Sequence, residues 1–238
     1  MNIGFSGCSF TSGAEMLDPI KDRYSAVIAR ELNINEYNVS KNGNSIDIIC
    51  KSMYDLTKKI KLDFAVIQIT AFSRISYAYE NEIRNFILYQ KNFQSNQVRD
   101  FHLYLYSAKT DYKLWYDLQK WKIFAIHEYM NSLKIPHIFL FMGLDEMELF
   151  KDDPDVPETL IWHKNPLRKF CRENNYPIGE SLHPLELGHE MIAKKILKTR
   201  LFEEGEGKKW SGSVESLSLS VLVVSQFTLH ARTLKPKP

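Results

Sequence analysis

A hydroxyl, an imidazole and a carboxylate are the groups in this sequence whose types and spacing could do chemistry. Ser9 stands in Ser6-Gly7-Cys8-Ser9-Phe10-Thr11-Ser12-Gly13, directly behind the apolar run Ile3-Gly4-Phe5. A short strand that breaks into a turn of small residues leaves a serine exposed above the carboxyl edge of a sheet, with backbone N–H groups beside it. Far downstream, Glu180-Ser181-Leu182-His183-Pro184 supplies His183, with the carboxylate of Glu180 three residues before it. A serine is a weak nucleophile until a base takes its proton, and an acid that fixes the tautomer makes the base effective. Together these parts suit acyl transfer and point to a hydrolase, a chemistry that requires neither a metal nor an organic cofactor.

The elements that must position these groups alternate along the chain. Asn2 to Phe5 reads as a first strand, Tyr24 to Leu32 as a helix, and Tyr37 to Ser40 as a second strand ending at the turn signal Asn42-Gly43-Asn44. Ile46 to Ile60 reads as a helix. Phe64 to Thr70 is a near-continuous apolar strand, the pattern of a strand buried on both faces. A long helix rich in Trp and Tyr is expected over Asp111 to Leu133, a fourth buried strand over His137 to Met142, and a last amphipathic helix through Leu197 with Pro184 at its start. Strands alternating with helices imply an α/β fold of three layers, flavodoxin-like, around a central parallel sheet. Two stretches fall outside that rhythm. Ser76 to Thr110 reads as a helical or irregular insertion, and Lys151 to Lys164 as a surface loop.

Bulk properties narrow the field. The chain of 238 residues has room for one substantial α/β domain, and its formal net charge of +2 implies no polyanionic partner. Cys8, Cys50 and Cys171 have no paired spacing, which argues against a disulfide framework or zinc knuckle and for a reducing compartment. With no secretory signal and no apolar run of membrane-spanning length, a cytoplasmic protein without membrane contact is expected.

The residues around Ser9 and His183 resemble the SGNH or GDSL hydrolase superfamily over roughly residues 1–197. Gly7-Cys8-Ser9-Phe10-Thr11 matches the first block, Gly-Asp-Ser-(Leu/Phe)-(Thr/Ser), and Asn38-Val39-Ser40-Lys41-Asn42-Gly43 the second. Glu180-Ser181-Leu182-His183-Pro184 followed by Gly188-His189 matches the last block, Asp-x-x-His-Pro. The resemblance implies Ser9 as nucleophile, His183 as general base, Glu180 as its orienting acid and Gly43 as an oxyanion donor beside the Ser9 amide. It further implies an acyl ester of a small molecule or carbohydrate as substrate. Three positions depart from the pattern. Cys8 replaces an aspartate, Glu180 replaces the triad aspartate, and Ile69-Thr70-Ala71-Phe72-Ser73-Arg74 stands where the family has Gly-x-Asn-Asp. Thr70, Ser73 or Arg74 is then expected to supply the missing oxyanion donor, with Ser73 and Arg74 also candidates for contacting substrate. Without a replacement, the loss of one such donor costs on the order of 3 kcal/mol in the transition state.

From Lys194 onward the chain resembles the middle portion of D-aminoacyl-tRNA deacylases. The resemblance rests on Leu201-Phe202-Glu203-Glu204, Gly207 to Val214 and Ser225-Gln226-Phe227-Thr228-Leu229. It implies a β-rich tail over 198–238 in which Ser225, Gln226 and Thr228 line an aminoacyl-ester site, with tRNA as a partner if the tail is functional. The family's N-terminal strands and its later Gly/Asn-x-Pro-x-Thr element have no counterpart up to Pro238, so the tail is expected to be a fused remnant joined within Lys194 to Leu197 rather than an independent domain.

The expected function is therefore serine ester hydrolysis on the α/β domain. Two alternatives stay open: a non-catalytic binding module on the same fold, motivated by the missing asparagine, and deacylation of mischarged tRNA through the tail. Blander roles also exist for single residues. Ser9 could cap a helix, Gly43 could serve a left-handed turn, Arg74 a surface ion pair, and Trp115, Tyr116 and Trp121 the helix core. His127 and His163 read as structural or exposed, His189 as packing within the last helix, and Cys8 as a small buried residue rather than a reactive thiol.

Overall fold

The computed structural model describes residues 1–79, 82–87, 112–143, 147, 166–198, 200–202 and 212–213. A four-stranded parallel sheet forms its centre, built from β1 (Asn2–Ser6), β2 (Asn35–Asn38), β3 (Phe64–Ile69) and β6 (His137–Phe141) in the order β2-β1-β3-β6. Ile3 pairs with Glu36 on one side and Phe64 on the other, and Ile67 pairs with Phe139.

Alternation along the strands divides the core in two. Phe5, Val66, Ile138 and Leu140 face a cluster completed by α3 (Tyr24–Leu32), α6 (Leu167–Glu173) and α7 (Glu186–Lys198). Ala65, Ile67, Ile69, Phe139 and Phe141 face the opposite cluster, completed by α4 (Ile46–Lys59) and α5 (Tyr112–Ser132). The expected three-layer α/β arrangement is thus present. β3 is buried along its whole length, as its apolar run implies. Helix α4 begins where Ser45 accepts the N–H of Ile48, and α3 ends at Asn33 in the left-handed region, φ 49°.

Several expectations are corrected. Arg74–Tyr79 (β4) and Glu82–Ile87 (β5) form an antiparallel pair, not a helical or irregular insertion. Pro184 does not open the last helix. It forms an isolated bridge with Ile178, and α7 begins at Glu186. Trp121 is 74% exposed rather than part of the helix core, whereas Trp115 donates its indole N–H to the Phe72 carbonyl at 2.9 Å. Two short helices, α1 (Ser9–Ser12) and α2 (Pro19–Asp22), fill the segment between β1 and α3. In the tail, Arg200–Phe202 (β7) pairs antiparallel with Gly212–Ser213 (β8). The proposed loop 151–164, His163, and the tail motif Ser225, Gln226 and Thr228 lie outside the described residues. Among the described residues, no helix is long and apolar enough to cross a membrane.

Candidate active site

Ser9 is the first residue of α1, immediately after β1 leaves the sheet. Cys8 precedes it in extended backbone, and Gly13 ends the helix with φ 81°. The strand-to-helix turn therefore sets Ser9 at the carboxyl edge of the central strand β1, where its neighbours β2 and β3 also end. His183 arrives from the other end of the domain on a tight loop. Leu182 donates its N–H to the Gly179 carbonyl at 3.0 Å, and the Gly179 N–H donates to the His183 carbonyl at 2.9 Å. Leu182 is held at φ 65° within that loop, a conformation that costs a non-glycine residue roughly 1–2 kcal/mol. The imidazole packs against the buried ring of Phe10, one residue after Ser9, with centroids 5.1 Å apart.

The two distant segments meet. Ser9 Oγ lies 2.7 Å from His183 Nε2. On the far side of the ring, His183 Nδ1 lies 2.5 Å from Glu15 Oε2. A carboxylate only accepts, so Nδ1 carries the proton, and Nε2 is left as the acceptor for the serine hydroxyl. The other oxygen of Glu15 accepts the Ser181 N–H at 2.9 Å. That bond and the one from His183 hold the Glu15 carboxyl below its ordinary value of 4.5.

The carboxylate bonded to His183 is therefore that of Glu15, not that of Glu180 as expected. Glu180 is exposed, and the turn from Gly179 to Leu182 leaves Nδ1 facing the segment behind α1 instead. Glu15 reaches the ring from a backbone position with φ 69°, and Gly179 makes room for it: a Cβ there would sit 2.7 Å from the Glu15 carboxylate.

The loop carrying Gly43 is tied to the turn and helix that carry Ser9 by three bonds. Asn44 Nδ2 donates to the Gly7 carbonyl at 3.0 Å, the Lys41 N–H donates to the same carbonyl at 3.4 Å, and Ser12 Oγ donates to Asn42 Oδ1 at 2.5 Å. Gly43 itself has φ 80°, and open space lies where a Cβ would be. Thr70 is not presented to this opening. It is fully buried, and its hydroxyl is directed at the Met142 sulfur, 4.0 Å away. Arg74 reaches back to the Asn44 carbonyl at 3.4 Å and so touches the Gly43 loop, while Ser73 is partly buried beside it in the chain.

Two residues at the site were absent from the sequence reading, Glu15 and Gln68. Gln68 is fully buried in β3, and its Oε1 accepts the Cys8 N–H at 2.9 Å. A polar residue inside the apolar run Phe64 to Ile69 was the signal available for it. Cys8 is buried as expected. His189 is buried too, and its Nδ1 accepts the Tyr24 N–H at 3.1 Å across the α3–α7 interface. His127 is structural, with Nδ1 2.8 Å from His137 Nε2.

Solved structures with a similar fold include a lipolytic protein of the G-D-S-L family from Desulfitobacterium hafniense DCB-2, with a TM-score of 0.51 and 12% identity over 82% of this chain and 96% of that one. Another is the psychrotrophic esterase EstA from Pseudoalteromonas sp., with a TM-score of 0.50 and 8% identity over 82% and 93%. At these identities the likeness is one of fold. Residues 186–238 match the family described as D-Tyr-tRNA(Tyr) deacylase. The D-aminoacyl-tRNA deacylase of Drosophila melanogaster is 55% identical over 49 residues, 21% of this chain and 30% of that protein. D-aminoacyl-tRNA deacylase 1 of Homo sapiens is 41% identical over 61 residues, 26% of this chain and 29% of that protein. This chain thus spans about 30% of the length of these curated relatives. It joins the fold of G-D-S-L family structures to a segment similar to D-aminoacyl-tRNA deacylases.

Proposed function

We propose that residues 1–197 form a serine hydrolase that cleaves an acyl ester through Ser9, His183 and Glu15. The observation that carries this reading is the continuous hydrogen-bonded chain from Ser9 Oγ through the imidazole to Glu15. In the proposed reaction His183 Nε2 takes the Ser9 proton as Oγ attacks the acyl carbonyl, then returns it to the leaving alcohol. Water repeats the sequence on the acyl-enzyme. Glu15 keeps the proton on Nδ1 and stabilises the imidazolium as it forms. The N–H groups of Ser9 and Gly43 stabilise the oxyanion. Arg74 supports that arrangement by holding the Gly43 loop through the Asn44 carbonyl. A small acyl ester, free or on a carbohydrate, fits this chemistry, which calls on no metal or cofactor. The test is labelling with a fluorophosphonate probe and release of p-nitrophenol from p-nitrophenyl acetate. Both should occur with wild type and vanish with Ser9→Ala. An unlabelled, inactive wild type would favour a non-catalytic binding module instead.

A second reading concerns the segment matched to the deacylases. In it, Ser225, Gln226 and Thr228 contact the aminoacyl ester of a mischarged tRNA. The match begins at Glu186 and so takes in the whole of α7, whose Ile192, Ala193 and Ile196 are buried in the α/β core. The helix therefore belongs to the hydrolase layer whatever the tail does, which supports reading the tail as a fused remnant. Comparing D-aminoacyl-tRNA hydrolysis by the full chain and by a chain shortened to end at Lys198 tests this. Turnover that depends on the tail would overturn the remnant reading.

A further inference from the structure

The residue least expected in β3 is Gln68. Burying a carboxamide in an otherwise apolar strand is costly unless its polar atoms find partners. Here both ends do. Oε1 receives the Cys8 N–H at 2.9 Å, the Cys8 thiol at 3.1 Å and the Thr11 hydroxyl at 3.3 Å. Nε2 donates to the Ile69 carbonyl at 2.6 Å. All three donors to Oε1 belong to the turn and helix that carry Ser9. Gly7 is fitted to the same oxygen: a Cβ there would lie 2.8 Å from Gln68 Oε1 and 2.2 Å from Thr11 Oγ1.

The contact continues through the core to the element behind the base. Thr11 Oγ1 lies 2.9 Å from the Tyr24 hydroxyl. Tyr24 stacks on His189, with centroids 5.8 Å apart and planes 12° apart, and gives it the backbone N–H bond already described. His189 lies in the first turns of α7, six residues after His183. A run of buried contacts, hydrogen-bonded as far as the Tyr24 hydroxyl and continued by the Tyr24 ring and backbone, thus links β3 beneath the Ser9 turn to the helix that follows the His183 loop.

We infer that Gln68 is a positioning residue for Ser9: its carboxamide oxygen fixes the Gly7–Cys8 peptide and thereby the placement of the Ser9 hydroxyl and amide opposite His183. The inference rests on the serine hydrolase reading. Gln68 touches neither substrate nor the reacting atoms. Its effect comes from holding a hydroxyl within the narrow range over which attack is productive, where a displacement of about 1 Å costs roughly a hundredfold in rate.

The experiment is the pseudo-first-order rate of fluorophosphonate labelling, resolved into maximal rate and half-saturating probe concentration, with thermal melts on the same samples. Gln68→Met keeps length and volume but removes the acceptor. Its maximal labelling rate should fall roughly a hundredfold with the half-saturating concentration unchanged. Ile123→Ala, in the opposite core cluster and fully buried, is the control for lost stability and should label at the wild-type rate. Gln68→Glu decides the matter if Gln68→Met does not fold. Its carboxyl keeps an oxygen that accepts from Cys8 and Thr11 in either protonation state, so its maximal labelling rate should stay close to that of wild type. A Gln68→Met protein that labels like wild type, or a folded Gln68→Glu protein whose maximal rate falls roughly a hundredfold, would overturn the inference. Absence of labelling in wild type would instead remove the hydrolase reading beneath it.

Discussion

Glu15 holds His183 and the backbone beside it with the two oxygens of one carboxylate. Oε2 faces Nδ1 at 2.5 Å, and Oε1 accepts the Ser181 N–H at 2.9 Å. The loop carrying His183, which already contains a leucine at positive φ, is therefore clamped from outside by a residue 168 positions earlier in the chain. The side chain of His183 is 14% exposed and that of Glu15 26%, so the pair sits at the mouth of the site rather than in the core.

Exchanging the acid separates Glu15 from Glu180. Glu15→Gln keeps the shape but offers an amide in place of the acceptor, and the imidazole can then settle in the wrong tautomer. A kcat loss on the order of 10⁴ on p-nitrophenyl acetate is expected, as when a triad acid is neutralised. Glu180→Gln removes only an exposed charge, worth well under about 1 kcal/mol, and should stay within about threefold of wild type. Reversal of that order would return the orienting role to Glu180.

Space at Gly179 is the second handle. A methyl group there would meet the Glu15 carboxylate at 2.7 Å. The group it strikes is the mobile end of a side chain, so Gly179→Ala should cost little stability while pushing the carboxylate off Nδ1. The expected result is a melting temperature within a few degrees of wild type and a kcat at least about tenfold lower, since each tenfold corresponds to about 1.4 kcal/mol of lost transition-state stabilisation. Glu15→Asp, with its shorter reach, should recover part of the activity in the Gly179→Ala background. Equal activity of Gly179→Ala and wild type would show that the carboxylate is not held where the structure has it.

Ser9 and His183 were legible because each lies in a local pattern with a mechanical reason. A strand that turns on small residues exposes a serine, and an imidazole follows a predicted loop. Glu15 was not legible, since nothing in the spacing of residues 13–15 announces a partner near residue 183. Its left-handed backbone and the room left by Gly179 exist only once the two segments are packed. Thr70 was misassigned for a related reason. Its place at the end of β3 suggested the sheet edge, yet it is fully buried and its hydroxyl is directed at the Met142 sulfur. The β4–β5 pair could have been read from the alternation in Arg74-Ile75-Ser76-Tyr77-Ala78-Tyr79, but its aromatic and charged content masked the period. The layers, by contrast, followed directly from apolar runs alternating with helical spacing.

Histidines taken out of water set how the fold should respond to acid. Burial pushes His137 down to about 4 and His189 to about 4, against an ordinary value of 6.5, and burial lowers His127 as well. Below 6.5 the unfolded chain binds protons that these folded-state imidazoles refuse, so stability falls as pH drops from 6.5 toward 4 and levels off below that. A gap of this size corresponds to at most about 3 kcal/mol per histidine. The tautomers agree with neutral rings: His137 Nδ1 gives its proton to the Ile135 carbonyl, leaving Nε2 to accept from His127 Nδ1, and His127 Nε2 to accept from Asn131. Carboxylates held low, such as Glu15 and Glu186, add their own loss only below about 4.5. Urea unfolding at pH 7, 5.5 and 4.5 should thus show midpoints dropping already between 7 and 5.5. His189→Gln should flatten that slope while lowering the midpoint at pH 7. A midpoint constant down to pH 5 would mean that the imidazoles are charged in the folded protein, and that the bonds His189 accepts from Tyr24 and His137 accepts from His127 are not made as described.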